Sequence, residues 1–255
     1  MIGAVAGDIV GSVYEWKNYK AKDFSPLIRE DSFYTDDTIC TIAVADALLN
    51  GKPPAVCLKE WGVRYFDNNG WGSAFRRWLV SANDGPYNSW GNGAAMRVSP
   101  AAWIATSLDE ALLHAARVTE VTHNHPEGMK GAAATTTAIY LARKGQNAAI
   151  IRRMIEDQFG YNLSTTVDEI RPGYRFNESC QGTVPQALVC ALDATSFEDA
   201  IRNAVSIGGD SDTVAAIAGP VAEAMFGVPL WIQQEVHRKL PCDMRDILDS
   251  LYQRN

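Results

Sequence analysis

The sequence has no CxxC pair, no linker-like tract, no low-complexity stretch and no repeat of solenoid length. Each absence closes a class of answer. Five cysteines, at 40, 57, 180, 190 and 242, form an odd set that argues against a disulfide framework, and no zinc site is expected. Reduced thiols in a cytoplasmic protein are the reading that follows. No uncharged apolar run reaches the roughly 18–20 residues of a membrane span, so no membrane partner is expected. The opening MIGAVAGDIVGSVYEW is apolar, but it lacks a basic flank and Asp8 interrupts it, so it makes a poor signal peptide. Positive charge is scarce: 23 Lys+Arg face 30 Asp+Glu, a net charge of -7. Such a field disfavours nucleic acid and anionic membranes as partners. It leaves room for an anionic small molecule held by local features.

Period-2 runs bounded by hairpin turns are also missing. What is present reads as helix. The spacing of apolar residues predicts helices over Val5 to Val13, Thr38 to Leu49, Val56 to Phe66, Asp109 to Val121 and Gly131 to Lys144. Further helices are expected over Ala148 to Phe159, Val184 to Leu192, Phe197 to Ser206 and Val214 to Phe226, with one or two more in 230 to 252. The fold class is therefore all-α, a compact multi-helix bundle in a single domain over residues 1–255, expected to be a monomer. Val214 to Phe226 is apolar or small on every side except Glu223, which suits a central helix, and Pro220 should kink it. Ser107 to Glu110, SLDE, has the pattern of a capping box. Two stretches read as irregular, from about Asn68 to Ser99 and from Gly160 to Gly182. Long structureless segments inside a compact domain are often functional.

Two acidic doorways stand out. Thr35-Asp36-Asp37-Thr38 and Asp210-Ser211-Asp212-Thr213 each precede an apolar helix. Asp, Ser and Thr are favoured helix caps, and capping is the ordinary explanation for one such acid. One cap needs one acid, however, and here the acids are doubled twice. Were the two helix starts to converge, four carboxylates would share one volume and raise each other's pKa. Hard divalent cations relieve that, because Mg²⁺ and Mn²⁺ favour oxygen ligands, threonine hydroxyls included. Two cations would balance the four acids.

With these doorways on the page the chain resembles the ADP-ribosylglycohydrolases. Four segments carry the likeness in the family's order: GDIVGSVYEW (Gly7 to Trp16), TDDT (Thr35 to Thr38), GNGAAMRVSP (Gly91 to Pro100) and GGDSDTVAAIAG (Gly208 to Gly219). THNHPEGMKGA (Thr122 to Ala132) is a weaker fifth. Each is weak alone; four in order are specific. The resemblance implies an all-α domain with a binuclear Mg²⁺ or Mn²⁺ centre in a cleft. It implies Thr35, Asp36 and Asp37 as one set of ligands and Asp210, Asp212 and Thr213 as the other. It puts Glu15 beside the metals, in a loop that gates entry, with Glu15 or Asp37 as general base. Asn92, Gly93, Ala94 and Met96 would lie near the diphosphate of ADP-ribose. His123 and His125 would lie at the cleft rim, and Tyr174 would supply an aromatic contact. Trp90, Tyr87 and Tyr161 are other stacking candidates.

The implied activity is metal-dependent removal of ADP-ribose from a protein or small molecule, with an N-glycosidic bond to arginine expected first. Serine-linked or small-molecule conjugates are the alternatives within the family, as is an inactive ADP-ribose-binding relative. All six ligand positions and the glutamate are filled, which favours an enzyme over the inactive relative. DSDT also resembles a phosphatase DxDxT, but that motif follows a strand in an α/β fold, and no strand–helix alternation is present.

Overall fold

The computed structural model describes residues 1–67, 70–83 and 85–253, so Asn68, where the first irregular stretch begins, lies outside the described residues. The described chain is built from helices: α1 (Ile2–Gly11), α2 (Asp36–Asn50), α3 (Pro54–Arg64), α4 (Ser73–Leu79), α5 (Gly93–Met96), α6 (Ser99–Ile104), α7 (Leu108–Thr119) and α8 (Pro126–Arg143). They continue with α9 (Ala148–Phe159), α10 (Val167–Ile170), α11 (Cys180–Leu192), α12 (Phe197–Ser206), α13 (Ser211–Phe226), α14 (Leu230–Lys239) and α15 (Cys242–Gln253). An isolated antiparallel bridge between Gly91 and Ser179 is the extended pairing seen among the described residues. The fold is all-α, as the sequence pattern predicts.

Local chemistry starts most of the longer helices. The side chains of Ser107, Asn147, Ser179 and Ser196 each accept a hydrogen bond from a backbone N–H in the first turn that follows. The SLDE box forms only by half. Ser107 caps Glu110 N, but the Glu110 carboxylate turns to the backbone N–H and hydroxyl of Thr106 instead of Ser107. The complete reciprocal box lies at Thr166 and Glu169, where it starts α10 inside the second irregular stretch. That helix, α4, α5 and α6 are too short to show a 3.6-residue period, which is why the pattern missed them.

The centre of the molecule is the crossing of α1 and α13. Every residue of α1 is buried, and α13 is buried from Ser211 to Glu223, continuing as helix through Pro220. Missing side chains make the crossing possible. A Cβ on Gly7 would sit 2.1 Å from the Ala215 carbonyl oxygen, and one on Gly219 would sit 2.0 Å from the Gly3 carbonyl oxygen. The two backbones therefore touch directly, and that contact sets Asp8 of α1 beside the start of α13. Around this pair pack α8, α11 and α12, with α2 against α1 and α13.

Candidate metal centre and cleft

Asp8 is the hub. Its carboxylate accepts hydrogen bonds from Thr35 N at 2.9 Å, Thr35 Oγ1 at 2.7 Å and Thr38 N at 3.0 Å, and from the Thr38 hydroxyl. It thereby fixes the first turn of α2. Thr35, not an acid, caps that helix, through a 3.3 Å bond from Asp37 N. Asp210 stands at the cap position of α13 but makes no capping bond. The doorway acids are thus spared the duty that ordinarily explains such residues. Asp212 is the partial exception, since one of its oxygens accepts from Thr213 N at 3.0 Å.

The two doorways converge. Carboxylate oxygens of Asp8, Asp37 and Asp212 lie within 4.8 Å of one another, and so do those of Glu15, Asp210 and Asp212. Asp212 belongs to both groups. Thr213 Oγ1 donates to Asp37 Oδ2 at 3.2 Å, and Thr35 Oγ1, whose hydrogen goes to Asp8, lies 3.3 Å from the same oxygen. Asp37 Oδ1 is buried with no hydrogen-bond partner. Asn92 Nδ2 donates to Asp210 Oδ2 at 2.6 Å, tying the glycine turn to the second doorway.

Burial, then mutual repulsion, pushes these acids upward. Asp8 is raised to about 6 by burial against its four hydrogen bonds, and Asp210 to about 7 by burial. Glu15 is raised to about 8, by burial and then by the charges of Asp212 and Asp8. Asp36, Asp37 and Asp212 lie well above the usual carboxylate range, again through burial first and neighbouring carboxylates second. A buried carboxylate oxygen without a donor is costly. So is a cluster of like charges. An all-oxygen donor set of carboxylates and threonine hydroxyls is what hard divalent cations take, and these residues fit such ions.

The acids open into a cleft of about 440 Å³. Glu15, Asp36, Asp37, Asn92, Gly93, Met96, His123, Asp210, Asp212 and Thr213 line it. Thr35, Ala94, His125 and Tyr174 are not in that lining. Thr35 sits behind Asp37, bonded to Asp8. Ala94 N–H donates to Gly91 O at 3.2 Å. His125 caps α8, its ring nitrogen accepting from Glu127 N at 3.1 Å. Tyr174 packs on the turn before Asp210, where a Cβ on Gly209 would lie 2.8 Å from its ring. Tyr87 lines the cleft, whereas Trp90 and Tyr161 do not. Trp71 and Phe75, stacked at 5.6 Å, form another part of the wall. At the rim Trp16, next to Glu15, stacks on Phe176 with ring centroids 5.0 Å apart.

The sequence model of the ADP-ribosylglycohydrolase family matches residues 1–255. The chain belongs to the ADP-ribosylglycohydrolase family. Among curated relatives, the ADP-ribosylarginine hydrolase Tri1 of Pseudomonas putida (strain GB-1) is 26% identical over 92% of this chain and 72% of its own length. The ADP-ribosylhydrolase ARH3 of Homo sapiens is 23% identical over 89% of this chain and 84% of its own. A solved ADP-ribosylglycohydrolase-related protein complex superimposes with a TM-score of 0.74 at 23% identity, covering 99% of this chain and 95% of that one. At that identity the likeness is one of fold. This ADP-ribosylglycohydrolase is accordingly an enzyme of glycosidic-bond hydrolysis. Two of its buried residues escaped sequence reasoning. Asp8 read as an interruption of an apolar run, and Arg97 read as the tail of the glycine motif. In each, a lone charge among small and apolar residues was the available signal.

Proposed function

We propose that this chain, as one ADP-ribosylglycohydrolase domain, removes ADP-ribose from a modified target by cleaving the N-glycosidic bond to arginine, with two divalent cations, Mg²⁺ or Mn²⁺. The observation that carries the reading is the pair of carboxylate triads sharing Asp212 at the floor of the cleft. Thr35, Asp36 and Asp37 suit one cation and Asp210, Asp212 and Thr213 the other, with Asp212 within reach of both; Asp8, whose oxygens are taken by Thr35 and Thr38, backs the first set, and Glu15 stands beside the second. Asp36 lines the same floor. When bound, such cations supply Lewis acidity and lower the pKa of water. The match to an ADP-ribosylarginine hydrolase supports arginine as the acceptor.

The chain's own residues divide the remaining work. Glu15, half-buried beside Asp210 and Asp212, takes a proton from the attacking water as general base. Glu15 is itself partly exposed, so the proton can pass on to solvent. Asp37 is the second candidate, because it belongs to the same cluster and one of its oxygens has no hydrogen-bond partner. The carboxylates around the reacting sugar stabilise an oxocarbenium-like transition state. As the water's oxygen bonds to the ribose carbon and the C–N bond breaks, the departing guanidine takes a proton from solvent, which balances the one passed on from Glu15.

The test is ADP-ribose release from an ADP-ribosylated arginine substrate with Mg²⁺, with Mn²⁺ and with EDTA, alongside Asp212→Asn. Metal-dependent release, lowered at least about 100-fold in the variant, is expected, since removing a shared ligand disturbs both cations. Release from serine-linked but not arginine-linked substrate would transfer the reading to O-linked conjugates. Release that survives both EDTA and Asp212→Asn would overturn it.

A further inference from the structure

Arg97 is an expensive residue that the hydrolytic chemistry leaves unexplained. It is 1% exposed, yet pairs with no carboxylate among the described residues. Its Nε has no partner. Its guanidinium lies 5.6 Å from the Phe75 ring centroid. Burying a charge without an opposite one is strongly unfavourable, as the damage done by breaking a buried ion pair shows. Beside the Cys40 thiol, the remaining polar contacts of Arg97 run toward His123. Arg97 donates to Thr122 Oγ1 at 2.6 Å, and Thr122 Oγ1 lies 2.8 Å from His123 Nδ1. The same Arg97 nitrogen lies 3.4 Å from His123 Nδ1.

A guanidinium has only donors. His123 Nδ1 therefore meets a hydroxyl and a cationic N–H, and a hydrogen on Nδ1 would point at positive charge. Nδ1 as acceptor is the arrangement that avoids setting a hydrogen against the Arg97 N–H. Burial, then the charge of Arg97, holds the imidazole well below its usual pKa, so it is neutral and carries one ring hydrogen. That hydrogen is on Nε2. Nε2 faces the glycine turn: a Cβ on Gly93 would lie 3.1 Å from it, and one on Gly91 3.6 Å.

We propose that Arg97 and Thr122 are positioning residues that lock His123 in its Nε2–H tautomer, so that it presents a neutral hydrogen-bond donor to an oxyanion held against the Gly91–Gly93 turn. The buried guanidinium stands behind that donor as the countercharge. This explains how a cleft floored by carboxylates receives an anionic ligand with no solvent-exposed basic residue in its described lining. The identity of the oxyanion, the diphosphate of ADP-ribose, rests on the function proposed above; the tautomer does not.

The test has two arms. In the first, long-range ¹H–¹⁵N spectra of the ligand-free protein report the ring hydrogens of its four histidines. His123 is expected as the Nε2–H form near neutral pH, and Thr122→Val, which keeps shape and removes the closer of the two contacts to Nδ1, is expected to raise the Nδ1–H fraction. An Nδ1–H form, an imidazolium, or no change in Thr122→Val overturns the proposal. In the second arm ADP-ribose affinity is measured calorimetrically in a double-mutant cycle. His123→Gln keeps an N–H donor near the Nε2 position without needing a relay. Thr122→Val is expected to weaken binding about tenfold when His123 is intact, the scale of one hydrogen bond to a charged group, and not at all in the His123→Gln background. Equal weakening in both backgrounds reduces Thr122 to a packing role and overturns the proposal. If the unaltered protein fails to bind ADP-ribose, the functional reading fails while the spectra still judge the relay.

Discussion

Single side chains in this cleft serve through their neighbours. Asn92 illustrates the point, because its sequence context suggests a contact to phosphate, yet its amide is spent on Asp210 at 2.6 Å and contacts Thr183 Oγ1 at 3.3 Å. It orients Asp210, a proposed metal ligand, and outer partners of metal ligands typically contribute about 10–100-fold in affinity. Asn92→Ala is therefore expected to weaken Mn²⁺ binding by about that factor while leaving the helical content unchanged, as calorimetry and circular dichroism together would reveal. Unaltered Mn²⁺ affinity would return Asn92 to direct ligand contact. The same reasoning separates what the motifs told from what they hid. Asp36, Asp37, Asp210 and Asp212 were legible because doubled acids before apolar helices are conspicuous. Asp8 was not, since its meaning lies in four hydrogen bonds to residues 27 to 30 positions away.

Among the helices, the α1–α13 crossing governs the site. Gly7 meets the backbone of Ala215, and Gly11 meets that of Asp212, where a Cβ would lie 2.4 Å from the Asp212 Cα. An added methyl at position 7 has no flexible side chain to push aside, so the helices must separate. Overpacking of this kind costs about 1–3 kcal/mol. Gly7→Ala is expected to lower the Tm by several degrees. It should also weaken Mn²⁺ binding, since Asp8 is carried on α1 and Asp212 on α13. A lower Tm with intact metal affinity would mean that the crossing supports the fold but not the site. The long helices were readable from their apolar periods and caps, with Ala148–Phe159 and Phe197–Ser206 bounded as the sequence predicts. Short α4, α5, α6 and α10 were not, because fewer than eight residues offer no period.

For the molecule as a whole, the clustered acids link stability to pH and to cations. A carboxyl whose folded pKa exceeds its unfolded value binds protons that the unfolded chain has released, so its contribution favours folding at low pH and is lost as pH rises. Here Asp8, Asp210 and Glu15 are raised to about 6, 7 and 8. Cation-free protein should therefore lose stability from about pH 4 to pH 8 through this site, and bound cations should restore it, because they take the place of those protons. The rise in Tm between EDTA-treated and Mn²⁺-saturated protein is expected to be larger at pH 8 than at pH 5. An equal rise at both would mean that the acids are not the binding groups. The amino-acid sequence by itself determined the helical class, the principal helices and the doorway acids, because periodicity, capping and paired charge are local properties of the chain. The convergence of two triads on Asp212, the hub at Asp8 and the line from Arg97 through Thr122 to His123 were decided only by the tertiary structure. They join segments far apart in sequence, and packing, above all the glycine-to-backbone contact that sets Asp8 of α1 beside Asp212 of α13, not any local pattern, fixes the distances between them.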